Sequence, residues 1–161
     1  MKSNKIFITL LCWMLAFILS DESLPQVPDF QGMQWEDHIS LFRNDAVSFP
    51  NFRRVSISRD RLTTVYETDI KAVYGVKVSR CLITFYENKF YRADVFTNDL
   101  DASVDLRDAI TRKYGTPEKI TEDVFIWHTR NNGISSWRLL NNFEARVQFW
   151  SDKVYRKIHN Q

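Results

Sequence analysis

Side chains that could act as acids, bases or nucleophiles are few in this chain. Its three histidines are His38, His128 and His159, and none stands four residues from another ligand, as a helical zinc site requires. His128 is the candidate for acid/base catalysis, because Glu122 and Asp123 closely precede it. In a strand, however, alternate residues share a face, so Asp123 and His128 would point to opposite sides. A hydrolase built on His128 is therefore a hypothesis with a geometric weakness.

Cys81 is the second catalytic candidate. It lies in the apolar, β-rich run VKVSRCLITFY, which is typical of a buried and unreactive thiol. A catalytic thiol needs an exposed and electropositive site, and a dyad of Cys81 with His128 would also need their two strands to be neighbours. The other cysteine, Cys12, lies in an N-terminal apolar segment, so we expect neither an internal disulfide nor a Cys-x-x-Cys site.

Arginine and tryptophan side chains favour binding over catalysis. Four arginines lie within the stretch FRRVSISRDR: Arg53, Arg54, Arg59 and Arg61. On a pair of strands they could form a cationic patch for an acidic partner, a phosphate group or a surface glycan. The alternative is a solvated sheet edge whose charges prevent unwanted strand pairing. Trp137 and Trp150 lie in the C-terminal strands, where large rings supply core area or line a groove.

Motifs for metals and cofactors are missing from the sequence. The aspartates between residues 99 and 108 lack the regular spacing and the turn glycine of a calcium loop. The whole chain has four glycines, too few for a nucleotide-binding loop, and it has no Gly-x-Ser-x-Gly elbow. We therefore expect no metal and no cofactor.

The N-terminus has the layout of a secretory signal peptide. Lys2 and Lys5 precede an apolar run of fourteen residues that ends at Leu19. A membrane-spanning helix needs roughly 18 to 20 apolar residues, so we expect cleavage after Ser20 and no stable membrane span after signal removal. The protein would then be periplasmic or secreted. Residues 21–29, DESLPQVPD, are predicted to be a flexible leader, and residues 30–161 a single domain.

The charge balance argues against nucleic acid as a partner. Removing residues 1–20 takes away two lysines and no acids, which leaves 20 basic residues against 20 acidic ones. Proteins that bind DNA or RNA usually carry a clear basic excess, because phosphate contacts dominate their affinity. We therefore expect no nucleic acid partner.

Beyond residue 30 the pattern predicts a few helices and many short strands. Helices are predicted near residues 36–44 and over residues 99–114, where Leu106, Ala109, Ile110 and Tyr114 form an apolar stripe. The last ten residues are predicted to be a short polar helix or a frayed tail. Strand patterns occur in NFRRVSIS, RLTTVYETD, VKVSRCLITFY, FYRADVFTN, KITEDVFIWHT, ISSWRLLNN and EARVQFWS. Short links between strands require antiparallel pairing. The predicted fold class is α+β: a single domain with a twisted antiparallel sheet of about six or seven strands and two helices packed on one face.

Two segments resemble a group of small exported bacterial proteins of uncharacterised function, many of them periplasmic or lipoproteins. PDFQGMQWEDHISLF is similar to their opening motif, Phe-x-Gly-x-x-Trp and a short helix. RDAITRKYGTPEKITEDVFIWH is similar to their ending, a helix, Tyr-Gly-x-Pro and a strand that contains tryptophan. One departure is Glu36, which stands where these proteins usually have a glycine. The resemblance implies export and a fold pattern, but no activity.

These observations favour a non-enzymatic role. We expect an exported binding or assembly module of the cell envelope, whose partner is another envelope or extracellular protein. The alternatives are a small periplasmic hydrolase that uses His128 with a nearby acid, and a secreted effector or inhibitor.

Overall fold

The computed structural model describes residues 30–128, 133–140 and 144–159. The expected signal peptide and leader, residues 1–20 and 21–29, lie outside these ranges. Within the described ranges, no helix is both long and apolar enough to span a membrane.

The described residues form three helices and ten strands. The helices are α1 (Ile39–Asn44), α2 (Leu100–Tyr114) and α3 (Asp152–His159). The strands are β1 (Arg53–Ile57), β2 (Thr63–Thr68), β3 (Ala72–Val73), β4 (Val76–Lys77), β5 (Arg80–Tyr86), β6 (Lys89–Phe96), β7 (Glu118–Thr121), β8 (Val124–His128), β9 (Gly133–Leu139) and β10 (Ala145–Ser151). Helices and an extensive sheet in one chain confirm the α+β class.

Eight strands form one antiparallel sheet in the order β1-β2-β5-β6-β10-β9-β8-β7, and β3 and β4 form a separate hairpin. The sheet is larger than the predicted six or seven strands, because KITEDVFIWHT is two strands instead of one. A turn at Glu122 and Asp123 separates β7 from β8. Lys119 Nζ donates to Glu122 Oε1 over 2.9 Å beside this turn, and the Asp123 N–H donates to Thr121 Oγ1 over 3.3 Å.

The hairpin of β5 and β6 confirms the antiparallel pairing expected from the short link between VKVSRCLITFY and FYRADVFTN. Glu87 and Asn88 lie in its turn with φ values of 51° and 63°. Positive φ at both central residues is typical of the type I′ turn, whose twist matches that of the flanking strands. The predicted strand from Val76 to Tyr86 is interrupted, however, and only its part from Arg80 onward belongs to the main sheet.

Helix α2 also follows its sequence pattern. Asp99 caps its start, where the side chain accepts a 2.6 Å hydrogen bond from the Ala102 N–H. Gly115 follows its end with φ of 89°, a conformation that glycine adopts without strain. Leu106 and Ile110 are buried in the main apolar cluster, so the predicted stripe faces the core.

The sheet has two unlike faces, which we name by what lies on them. The covered face carries two rows of residues that are partners of one another across the strands, and all of them except Phe125 are buried. The first row is Tyr66, Ile83, Ala93, Phe149, Ser135 and Trp127, and the second is Thr68, Cys81, Val95, Val147, Trp137 and Phe125. Phe42 of α1 packs edge-on against Phe85 with ring centroids 5.0 Å apart. Trp137 Nε1 donates to the Ser103 carbonyl of α2 over 2.9 Å. Phe42 of α1 and Ser103 of α2 thus each contact a side chain of the sheet.

The opposite side of the same strands is the open face. Its residues alternate with those of the covered face, and most are half-buried or exposed. Helix α3 contacts one end of it, where Val154 packs with Tyr86 and Tyr91 in a small second cluster. The Tyr155 ring lies 6.3 Å from Trp150, centroid to centroid. Most of the open face therefore has no layer of described residues over it.

Candidate binding surface

The described residues do not bring the predicted catalytic side chains together. Cys81 is fully buried on β5, and burial, followed by the nearby charge of Asp94, raises the pKa of its thiol. His128 is exposed on β8, and three strands of the sheet lie between β5 and β8. Neighbouring strands are about 4.8 Å apart, which separates the two strands by roughly 19 Å. The requirement for a dyad of Cys81 and His128 is therefore not met.

The acids proposed as partners of His128 lie at the other end of its strand. Glu122 and Asp123 form the turn before β8, whereas His128 is its last residue. Five residues of extended strand span roughly 16 Å, too far for a hydrogen bond. Glu122 is also engaged by Lys119, whose hydrogen bond lowers the pKa of the Glu122 carboxyl. The predicted acid/base pairing does not match this geometry.

The four arginines predicted to form a binding patch do not converge. Arg53 and Arg54 lie on edge strand β1 and, because successive residues of a strand alternate, face opposite sides of the sheet. Arg59 and Arg61 are exposed between β1 and β2. The pairing of β1 with β2 is interrupted by a bulge between Arg54 and Ser56. Bulges and charges both hinder pairing with a further strand, so this region matches the alternative interpretation, a protected edge.

The two tryptophans predicted to bind a partner have different environments. Trp137 belongs to the covered face and is only 4% exposed, so its ring is unavailable to a partner. Trp150 lies on the open face and is half-buried. It is the one predicted aromatic that a partner could reach without unfolding the sheet.

The open face gathers arginines that are scattered along the sequence. Five strands each contribute one, and their cross-strand partners place all of them on this side: Arg53, Arg80, Arg92, Arg138 and Arg146. Sequence reasoning missed this set, because it searched for neighbours in the chain and found only Arg53. The available signal was alternation, since ARVQFWS places Arg146, Gln148 and Trp150 on one side of β10.

Three of these arginines are paired with acids. Glu67 accepts 2.7 Å and 2.9 Å hydrogen bonds from Arg53 and Arg80, which lower the pKa of its carboxyl. Asp94 is 2% exposed and accepts two hydrogen bonds from Arg92, at 2.7 Å and 2.9 Å. Gln148 Nε2 donates a third to Asp94 over 2.8 Å. These networks hold the side chains of the middle of the face in place.

The remaining two arginines have no acidic partner among the described residues. Arg138 and Arg146 are direct cross-strand partners, and among the described residues neither forms an ion pair. The Arg146 Nε is buried and has no hydrogen-bond partner in the described part of the chain. On the neighbouring strand β6, Phe96 is the cross-strand partner of Arg146. The Arg80 guanidinium lies 5.8 Å from the centroid of the Phe96 ring. We call these four residues, Arg80, Phe96, Arg146 and Arg138, the arginine row.

Within the described ranges, no cluster of three or more histidines, cysteines or acids could hold a metal ion. The arrangement offers guanidinium donors and an aromatic ring on one face of the sheet. Such groups bind anionic side chains, and they lack a nucleophile or general base. No protein-family model, curated protein or solved structure matches this chain.

Proposed function

We propose that this protein is a non-enzymatic binding or assembly module, exported to the cell envelope or beyond it, whose open face docks another envelope or extracellular protein. The proposal takes α1 and α2 as the layer on the covered face, as the sequence predicts, so that the open face is left for a partner. Export is included on the strength of the signal peptide pattern and of the resemblance to exported bacterial proteins.

The contrast in burial between the two faces is the observation that carries this proposal. The solvated side of an antiparallel sheet usually carries polar residues. This open face instead holds Phe96, Trp150 and Leu82 half-buried among arginines. Aromatic rings and arginines are enriched where proteins bind each other, because they combine large contact area with directed hydrogen bonds.

The edges of the sheet are poorer docking sites than its open face. Every residue of β1 and of β7 is exposed, but each edge strand has a bulge in its pairing. A bulged and charged edge resists the addition of a further strand. The face is therefore the surface on which a partner can bury area without first straightening the sheet.

Site-specific photocrosslinking in the cells that make the protein tests this proposal. A photoreactive amino acid is placed at Ser136 or Leu82 on the open face and, as controls, at the exposed positions Arg59 and Asp105. We expect one adduct of the same mass from Ser136 and Leu82, and we expect excess wild-type protein to compete it away. The control positions should not form it.

Two outcomes would remove the proposal. One is an adduct from Arg59 or Asp105 with none from the open face, because a partner would then dock elsewhere. The other is a monomer without adducts at all four positions, provided that circular dichroism shows each variant to be folded.

A further inference from the structure

The cross-strand pair of Arg138 and Arg146 is unfavourable within the protein itself. Like charges directly opposite each other in a sheet destabilise it. A surface optimised only for folding would place an acid or a neutral residue at one of these positions. The burial of the Arg146 Nε without a partner adds a second local cost. Both costs would fall if an external acid reached the pair.

We propose that the arginine row, Arg80, Phe96, Arg146 and Arg138, binds side-chain carboxylates of an extended acidic segment in a partner protein. This inference rests on the proposed function, since it names the chemistry that the open face would recognise. Arginine suits this ligand because its planar guanidinium matches a carboxylate with two parallel hydrogen bonds.

The spacing of the row fits an extended segment of polypeptide. Arg138 and Arg146 lie on adjacent strands, about 4.8 Å apart, and Arg80 lies two strands beyond Arg146, roughly 10 Å away. In an extended segment, side chains on one face repeat about every 7 Å. The centre of the Arg138 and Arg146 pair lies roughly 12 Å from Arg80, between the repeats of about 7 Å and 14 Å that acids two or four residues apart have in an extended segment. Long arginine side chains can bridge the difference, so two such acids can engage the pair and Arg80 together, with the Phe96 ring between them.

The surrounding acids favour a short acidic segment over a long polyanion. Glu67 and Asp94 lie in the next row of the open face, two residues along their strands from the arginine row. That distance is roughly 7 Å, so the positive surface is only one row wide. A polyanion with charges in every direction would meet both carboxylates. An acid bound to Arg138 and Arg146 would not, and an acid bound to Arg80 would share that guanidinium with Glu67, which already accepts a hydrogen bond from the Arg80 Nε.

A binding titration tests the ligand class. The probe is a short fluorescein-labelled peptide with glutamate at every second position, and its control has glutamine instead. We expect fluorescence anisotropy to show binding of the glutamate peptide alone. The affinity of the variant R138Q/R146Q should fall by about tenfold or more, because each position supplies charge-assisted hydrogen bonds.

The variant R59Q/R61Q is the matched control, because it also removes two positive charges but lies between β1 and β2. Its affinity should stay within about twofold of wild type, since exposed charges this far from the site are screened by salt. The variant R138K/R146K keeps the charge but loses the planar fork, and we expect an intermediate affinity. This ordering separates recognition of carboxylates from a general charge effect and from unfolding.

Several outcomes would overturn the proposal. It fails if both double glutamine variants lose affinity equally, if the glutamine peptide binds as well as the glutamate peptide, or if an oligosaccharide of uronic acids binds the row more tightly than the peptide does. If the crosslinking experiment finds a partner on the open face while the peptide does not bind, the docking surface stands and the ligand class is wrong. If the peptide binds through the row but no crosslink forms, the carboxylate site stands and the proposed function is wrong.

Discussion

The covered and open faces are made by the same strands but have opposite properties. On the covered face, Ile83, Ala93 and Val95 are fully buried, in the same apolar cluster as the rings of Phe30, Phe42, Phe85, Phe90 and Phe149. On the open face the neighbouring residues include Leu82 and Arg92, and most are only half-buried. Alternation along a strand lets one segment serve both purposes. The two faces can therefore be altered separately, residue by residue.

The largest effect should come from the covered face. Phe149 is 1% exposed and its ring centroid lies 5.4 Å from that of Phe30. Phe149→Ala should lower the free energy of unfolding by about 3 to 5 kcal/mol, because it removes apolar contacts and leaves a cavity. The matched variant Phe96→Ala, on the open face, should cost less than about 1.5 kcal/mol, since its ring is only half-buried. Urea unfolding measures both, and equal losses would break the distinction between the faces.

The next effect concerns the buried acid of the open face. Asp94→Asn should lower the free energy of unfolding by about 1 to 3 kcal/mol, because Arg92 loses its ionic partner; water reaches part of Arg92 and limits the cost. Glu67→Gln should cost less than about 1 kcal/mol, since the arginines bound to Glu67 are mostly exposed. Thermal unfolding can rank the two. A larger loss for Glu67→Gln would mean that Asp94 does not organise the face.

A smaller effect of opposite sign is expected at the arginine row. Arg146→Gln should raise the free energy of unfolding by about 0.2 to 1 kcal/mol, because it relieves the repulsion from Arg138. The gain should shrink at high salt, which screens exposed charges. Arg59→Gln, measured in the same way, should change little. A loss of stability in Arg146→Gln would show that Arg146 has a structural role in the sheet.

The smallest effect should be a pH dependence where α3 is attached. Glu36 has φ of 70°, and its carboxylate accepts a 2.6 Å hydrogen bond from Lys153 of α3. That hydrogen bond, with the charges of Lys153 and Lys89, lowers the pKa of Glu36, although burial opposes the shift. The stabilisation is therefore present above the unfolded pKa of about 4.3 and is lost as the pH falls through the folded value.

Stability measured between neutral pH and pH 3 should thus fall less in Glu36→Gln than in wild type. Glu118→Gln, at an exposed position of β7, is the control and should follow wild type. Parallel curves for wild type and Glu36→Gln would show that this ion pair does not help to hold α3.

Local patterns in the sequence were enough to predict several elements. Helix α2 has its own cap, apolar stripe and terminal glycine, and the hairpin of β5 and β6 has a turn whose residues are local signals. The split between β7 and β8 was missed, because Glu122 and Asp123 contain none of the glycine or proline that usually marks a turn. The residue type of Glu36 does not mark its left-handed conformation, since glycine alone adopts it without strain; the one signal was the glycine that the similar exported proteins usually have at this position.

The candidate surface could not be predicted, because it depends on strand register. Arg80 and Arg146 are 66 positions apart in the chain, yet each is a direct partner of Phe96. Local sequence shows which residues alternate along one strand but not which strands become neighbours. The arginines that did cluster in the sequence, Arg59 and Arg61 among them, are exposed beside an edge strand.

The central claim is that the open face, through its arginine row, is where this protein binds. Nuclear magnetic resonance of the arginine Nε–H groups during titration with the glutamate peptide tests this claim most directly. We expect the signals of Arg80, Arg138 and Arg146 to shift and saturate together, while those of Arg59 and Arg61 stay in place. Shifts confined to Arg59 and Arg61, or equal small shifts of all five signals, would contradict the claim.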